Sequence, residues 1–217
     1  MRPSGLVLLA LLTHAQQALA QLPASDRPAA PAVTAAATPE SLRERLAAGG
    51  ELRYSMVNLD TNTKSVITVR RDVGDEYVRN DGGRLKDLSH VQYEQGYKFS
   101  PPVPMFRLPL EPGSKWTYSG AVLSMRAQGG ARMHSDFLVA AASRLTTPAG
   151  DFDVVEVVEH RSWESTTTSA RFVIHRWIDA QRGVVVRETL KTEQVYRKHI
   201  NIIMPTDFEL TLERLPQ

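Results

Sequence analysis

Phe208-Glu209-Leu210-Thr211-Leu212-Glu213 alternates apolar and polar residues without a break. Successive side chains of an extended strand point to opposite faces, so Phe208, Leu210 and Leu212 share one face and Glu209, Thr211 and Glu213 the other. A strand with one buried and one wet face leaves this signature. The same period of two runs back through the chain. Ala170, Phe172 and Ile174 face away from Val173, His175 and Trp177, and Trp116 and Tyr118 oppose Lys115, Thr117 and Ser119. Met133, Phe137 and Val139 open a strand that runs to Leu145, Ile67 and Val69 alternate with Thr68 and Arg70, and Leu52, Tyr54 and Met56 oppose Arg53 and Ser55. Turn residues fall between these runs, at Asp60-Thr61-Asn62, Val73-Gly74-Asp75, Asn80-Asp81-Gly82-Gly83, Pro148-Ala149-Gly150-Asp151 and Arg182-Gly183. The pattern predicts a mainly all-β domain of about nine or ten antiparallel strands in a meander. A sheet that long curls into a barrel or half-barrel, or splits into a sandwich.

Ahead of the strands the chain changes character. Thr38 as N-cap, Pro39 at the first helical position, Leu42 and Leu46 four apart, and the stop at Gly49-Gly50 predict a short helix over 39–49, a lid or plug at one end of the fold. From Gln21 to Thr38 the sequence is mostly alanine and proline with almost no large apolar residue, the composition of a flexible tether. Residues 1–20 have a basic start at Arg2, an apolar run from Gly5 to Leu12 and small residues in Ala18-Leu19-Ala20, which reads as a secretory signal peptide cut after Ala20. The apolar run is far short of the roughly 20 residues that span a bilayer. The expected division is therefore signal peptide 1–20, tether 21–38, helix 39–49 and one β-rich domain over 50–217, in a periplasmic or secreted protein.

Composition narrows the chemistry. The 217 residues include no cysteine, which excludes disulfides, zinc-thiolate sites, thiol catalysis and a lipid-modified cysteine at the cleavage site. The 26 basic and 24 acidic residues are interleaved, with Arg197-Lys198-His199 the densest basic cluster, so no nucleic-acid partner is expected. There is no Gly-x-Ser-x-Gly elbow and no phosphate-cradling loop ending in Lys-Ser or Lys-Thr. No catalytic residue, metal or cofactor is assigned. His134, His160 and His175 fall on three neighbouring strands and form the best histidine trio, read as polar partners on the sheet. Asp151 and Asp153 flank a turn, and Glu156 and Glu159 alternate with valines as a wet strand face would.

Ser89 to Pro112 carries Pro101, Pro102, Pro104, Pro109 and Pro112 beside Tyr93, Tyr97, Phe99 and Phe106. Proline denies a sheet its ladder donors, so the segment is expected to be a long crossing loop and a rim for a cavity. Trp116, Tyr118, Phe172, Ile174 and Trp177 are the candidate ligand-binding residues, lining the concave side of a curled sheet with Trp177 near its rim. Trp163, in a polar Ser/Thr-rich stretch between two strands, is expected at an exposed hairpin tip as a partner contact.

Three segments together carry a resemblance: Leu108-Pro109-Leu110-Glu111-Pro112-Gly113-Ser114-Lys115-Trp116-Thr117-Tyr118, then Thr147-Pro148-Ala149-Gly150-Asp151-Phe152, then Trp177-Ile178-Asp179-Ala180-Gln181-Arg182-Gly183-Val184-Val185. In order and content they are similar to a broad group of secreted bacterial proteins of unknown function, with Trp-Ile-Asp standing where an aromatic pair commonly precedes the turn. The resemblance implies a curled antiparallel sheet like that of the lipoprotein-carrier half-barrels and brings no catalytic residue. The functional expectation is a non-enzymatic envelope protein that holds an apolar or amphipathic ligand, or an extended partner, on its curved sheet. The alternative is an interaction or assembly module with a filled interior and no small-molecule pocket.

Overall fold

The computed structural model describes residues 39–125, 130–197 and 205–217. The signal peptide, the tether, Thr38 and the Lys198-His199 part of the basic cluster lie outside the described residues.

Among the described residues one helix, α1 (Pro39–Ala47), precedes twelve strands: β1 (Glu51–Asn58), β2 (Lys64–Arg71), β3 (Tyr77–Arg79), β4 (Arg84–Asp87), β5 (His90–Glu94), β6 (Tyr97–Pro104), β7 (Lys115–Ser124), β8 (Gly130–Thr147), β9 (Gly150–Glu164), β10 (Thr168–Asp179), β11 (Val184–Arg197) and β12 (Phe208–Arg214). Each strand pairs antiparallel with the ones before and after it, and β12 returns to β1 through pairs such as Tyr54 with Leu212 and Asn58 with Phe208. The sheet is thus a closed barrel rather than an open half-barrel. Closure pairs the first strand with the last, and one-sided stretches remain where a strand outruns a neighbour, as β8 does beyond Val139.

The count exceeds the expected nine or ten because β3, β4 and β5 are too short to show a period, and because β6 carries prolines. Pro101, Pro102 and Pro104 do not form a loop. β6 pairs with β7 only from Tyr97 to Ser100, and beyond Ser100 its partner is β5, through Val103 with Val91 and Pro104 with His90. The missing N–H groups therefore fall where β6 has a neighbour on one side only, a position a strand proline tolerates.

Strand parity sorts the residues between core and water. Even positions of β10, from Thr168 to Ile178, point inward, as do Met133, Ser135, Phe137 and Val139 of β8. β9 changes phase. Val139 pairs with Val157 but Ala142 with Val155, so two residues of β8 oppose one of β9 and the inward series passes from Phe152 and Val154 to Val157, Glu159, Arg161 and Trp163. A one-residue shift turns every later side chain over.

α1 packs on β1 and β2 through buried Leu42 and Leu46. It stops where expected. Gly49 has φ +91, and a Cβ on Gly50 would come within 2.8 Å of the Arg45 carbonyl oxygen, so both glycines are needed for the chain to leave the helix. Outside, the barrel wall carries ion pairs such as Arg53–Glu213, Arg70–Glu51 and Arg187–Glu209. Among the described residues no helix is long and apolar enough to cross a membrane.

Candidate functional site

The inward faces of β8, β9, β10 and β11 bring a charged cluster into the middle of the barrel. Glu159 accepts hydrogen bonds from Arg161 Nε (2.7 Å) and Nη2 (3.0 Å), from Arg176 Nη1 (2.7 Å) and from the Ser135 hydroxyl (2.7 Å). Arg176 Nε donates to Glu188 at 2.7 Å. On the far side Arg79 holds Asp81 at 2.6 Å and stands 3.6 Å from Glu94, which is 3.9 Å from Arg161. Burial alone would raise the Glu159 carboxyl, yet Arg161 and Arg176, together with its hydrogen bonds, hold it down at about 2. Glu94 goes the other way: burial and the nearby Glu188 carboxylate push it above the usual range despite Arg79 and Arg161. The expectation that Glu159 lies on a wet face with Glu156 is corrected here, because the β8–β9 bulge separates their phases. Glu156 is on the outer wall, bonded to His175 Nδ1 at 2.7 Å.

The sequence-predicted aromatic residues divide between the two sides of the wall. Phe172 and Ile174 are buried inside, Tyr118 is inside with its hydroxyl donated to the Pro101 carbonyl, and Trp116 is half-buried, stacked 4.9 Å from Phe137. Burial raises the Tyr118 hydroxyl to about 12, so it stays a donor at physiological pH. Gly120 makes that bond possible, since a Cβ there would sit 2.1 Å from the Tyr118 hydroxyl. Trp163 is not at an exposed tip. It belongs to β9, is 4% exposed, and packs inside against Tyr97 (4.8 Å), Phe172 (5.0 Å) and Phe99 (6.5 Å). The polar stretch around it misled because Ser162 and Glu164 point outward and Ser165 to Thr167 make the turn to β10, while Trp163 keeps the inward phase.

Trp177 does not join the lumen residues, because the inward face of β10 is the even one. On the outer wall its ring stacks 6.0 Å from His175 and lies under the Arg187 guanidinium at 5.2 Å. Arg187 in turn bonds Glu209 at 3.0 Å. Glu156, His175, Trp177, Arg187 and Glu209 thus form a continuous band across β9, β10, β11 and β12.

The lumen is filled. The inner cavity bordered by Tyr54, Arg79, Glu94 and Glu188 measures about 40 Å³. That holds water, at roughly 10–15 Å³ for each, and falls well short of the roughly 300–1,000 Å³ of a ligand pocket. A twelve-strand barrel is wide for a filled one, and bulky side chains such as Arg176, Phe137 and Phe172, with the α1 leucines at one end, make up the difference.

The three histidines of the trio all lie on the outer wall without converging. His134 Nδ1 is 3.0 Å from the Ser119 hydroxyl and its Nε2 3.4 Å from Asp136. The order Ser–His–Asp is chemically suggestive, but the group lies in the open on the outer wall, with the His134 and Asp136 side chains 51% and 63% exposed. Among the described residues no group of three or more His, Asp and Glu could hold a metal. The buried ionic cluster is what sequence reading missed; the available signal was Glu159-x-Arg161-x-Trp163 at strict two-residue spacing, hidden by the bulge.

No protein-family model matches the chain, and no curated protein matches it. Similar solved structures are the hypothetical lipoprotein YmcC of Escherichia coli K12, with 12% identity, 80% of this chain and 88% of that chain covered and a TM-score of 0.49; a protein described as exported, with a YmcC-like fold, from Bacteroides fragilis, with 12% identity, 78% and 96% covered and a TM-score of 0.47; and one described as a lipoprotein from Parabacteroides distasonis, with 12% identity, 76% and 94% covered and a TM-score of 0.45.

Proposed function

We propose that this chain is a non-enzymatic, periplasmic or secreted binding module of the cell envelope that engages its partners from the outer wall and rims of the barrel. The single observation that carries the reading is the filled lumen, whose inner cavity of about 40 Å³ admits no lipid chain or drug-sized ligand. Trp116, Tyr118, Phe172, Ile174 and Trp163 are then packing residues. Trp177, flanked by His175 and Arg187, is the wall's contact residue: Trp and Arg dominate the energetics of protein interfaces, and here they are already ordered against one another.

Two measurements test this. A neutral apolar dye such as Nile red gains no emission on mixing with the mature protein, and Trp163 stays shielded from a neutral quencher. A photo-crosslinking amino acid placed at Trp177 in the native host gives a discrete adduct, whereas one placed at Val66 does not. Stoichiometric dye uptake that is lost in Phe172→Ala, or equal crosslinking at both positions, would overturn the proposal.

A further inference from the structure

At the barrel end closed by α1, a pocket of about 240 Å³ opens between the helix, the β4–β5 turn and the segment after β6. Its floor is Leu88 and Phe106, both buried, and Leu108 stands at its rim, 57% exposed. Arg43 from α1 and Arg107 from the segment after β6 also line it. Most arginines of the wall are paired with a carboxylate, but among the described residues neither of these two has an ion-pair partner. Arg107 lies 5.8 Å over the Trp116 ring, which orients its guanidinium without neutralising it.

Asp87 is the acidic group in the pocket, and it is satisfied locally. Its Oδ1 accepts from the Ser89 N–H (2.8 Å) and hydroxyl (2.6 Å) and lies 3.0 Å from His90 Nδ1. Burial would raise this carboxyl, but the bonds from Ser89 and His90 outweigh it and keep Asp87 ionised. Two guanidiniums against one such carboxylate leave the pocket positive. Guanidinium forks match the geometry of a carboxylate or phosphate and hold it bidentately. A bare anion would use the arginines but not the apolar floor and rim. The volume is about six times that of the inner cavity, room for a head and the first carbons of a chain.

We propose that this pocket binds an anionic amphiphile, its carboxylate or phosphate head between Arg43 and Arg107 and the start of its chain on Leu88, Phe106 and Leu108. The proposal rests on the reading that binding takes place at the outside and rims of the barrel, and it names the chemistry of one such site.

The full mature chain is titrated, below micellar concentrations, with lauric acid, lauroyl lysophosphatidic acid, dodecanol and inorganic phosphate, following Trp116 emission and heat of binding. The two anionic amphiphiles bind, and dodecanol and inorganic phosphate each bind roughly tenfold or more weakly. Whichever of acid and phosphate ester binds better identifies the source of the head. Arg43→Gln with Arg107→Gln costs roughly tenfold or more for both amphiphiles, with the thermal midpoint shifted little because both side chains are exposed, neither is in an ion pair among the described residues, and the Arg107–Trp116 contact is a surface one. The equal charge change Arg53→Gln with Arg70→Gln leaves affinity intact. Dodecanol binding as tightly as the acid, inorganic phosphate binding as tightly as its ester, full affinity in the pocket variant, or equal loss in the control would each overturn the proposal. Nile red separates the two readings: uptake into the lumen defeats the outer-surface function, whereas dye exclusion with no amphiphile binding defeats this pocket alone.

Discussion

The two faces of the barrel wall carry the same residue types with opposite consequences. Inside, Arg161 and Arg176 meet Glu159 at 2.7 Å with all three side chains buried; outside, Arg70 meets Glu51 at 2.8 Å with 65% of the arginine side chain in solvent. The contact distances are nearly equal. The difference is the medium: a buried pair has already lost its hydration, so removing one partner strands the other, whereas an exposed pair falls back on water. Tryptophan repeats the lesson, with Trp163 packed inside and Trp177 sandwiched outside.

The comparison breaks most sharply at Glu159. Glu159→Gln leaves two buried guanidiniums undercompensated and is expected to cost about 3–5 kcal/mol in urea denaturation; a cost under ~1 kcal/mol would mean that water reaches the cluster. Its pH dependence follows from the sign of the shift. A folded value of about 2 against an ordinary 4.5 means that stability from Glu159 is present above 4.5 and lost as pH falls toward 2. Glu94 is displaced upward, so its contribution holds below the ordinary carboxylate value and is lost as pH rises through its folded value. Thermal midpoints against pH should show Glu159→Gln flattening the acid limb and Glu94→Gln flattening the fall above pH 4.5. If Glu94→Gln leaves the upper slope unaltered, its upward displacement is wrong.

Next in size comes the tryptophan pair. Trp163→Ala opens a void among Tyr97, Phe99 and Phe172 and is expected to cost about 3–5 kcal/mol, whereas Trp177→Ala on the outer wall should cost roughly 1 kcal/mol or less. Equal losses would erase the inside–outside distinction. Gly120→Ala tests the crowded crossing from β7 to β6. A methyl group there displaces the Tyr118 hydroxyl from Pro101, an overpacking cost of about 1–3 kcal/mol, which Tyr118→Phe in the same background should partly relieve. The smallest effect belongs to the outer pair, where Arg70→Gln should change stability by less than ~1 kcal/mol and lose even that in high salt.

How much of this could be read from the chain depended on whether the local period survived the fold. β10 and β12 keep strict alternation, and Phe172, Ile174, Phe208, Leu210 and Leu212 lie inside as their spacing requires. β9 does not, because the bulge at Val139–Ala142 is a property of two strands together and leaves no mark in either alone. The bulge hid the inward phase of Glu159, and the polar residues flanking Trp163 hid its own. The prolines of β6 misled differently: proline forbids a ladder bond, and only the partner's departure after Ser100 shows that none was needed. The pocket at the helix end was invisible because its arginines, 43 and 107, come together only when α1 closes the barrel.

Closure by β12 on β1 joins residues at opposite ends of the domain, Arg53 with Arg214 and Asn58 with Phe208. Every other strand can dock on the one made just before it, so growth of the sheet is local and needs little loop entropy until the last step. That step is long-range, and contacts of large sequence separation slow folding. Until β12 is released from the ribosome, β1 and β11 are two bare edges on a curled ribbon, open to pairing with other chains. The strand with the plainest sequence pattern is therefore also the one that ends the period of greatest risk.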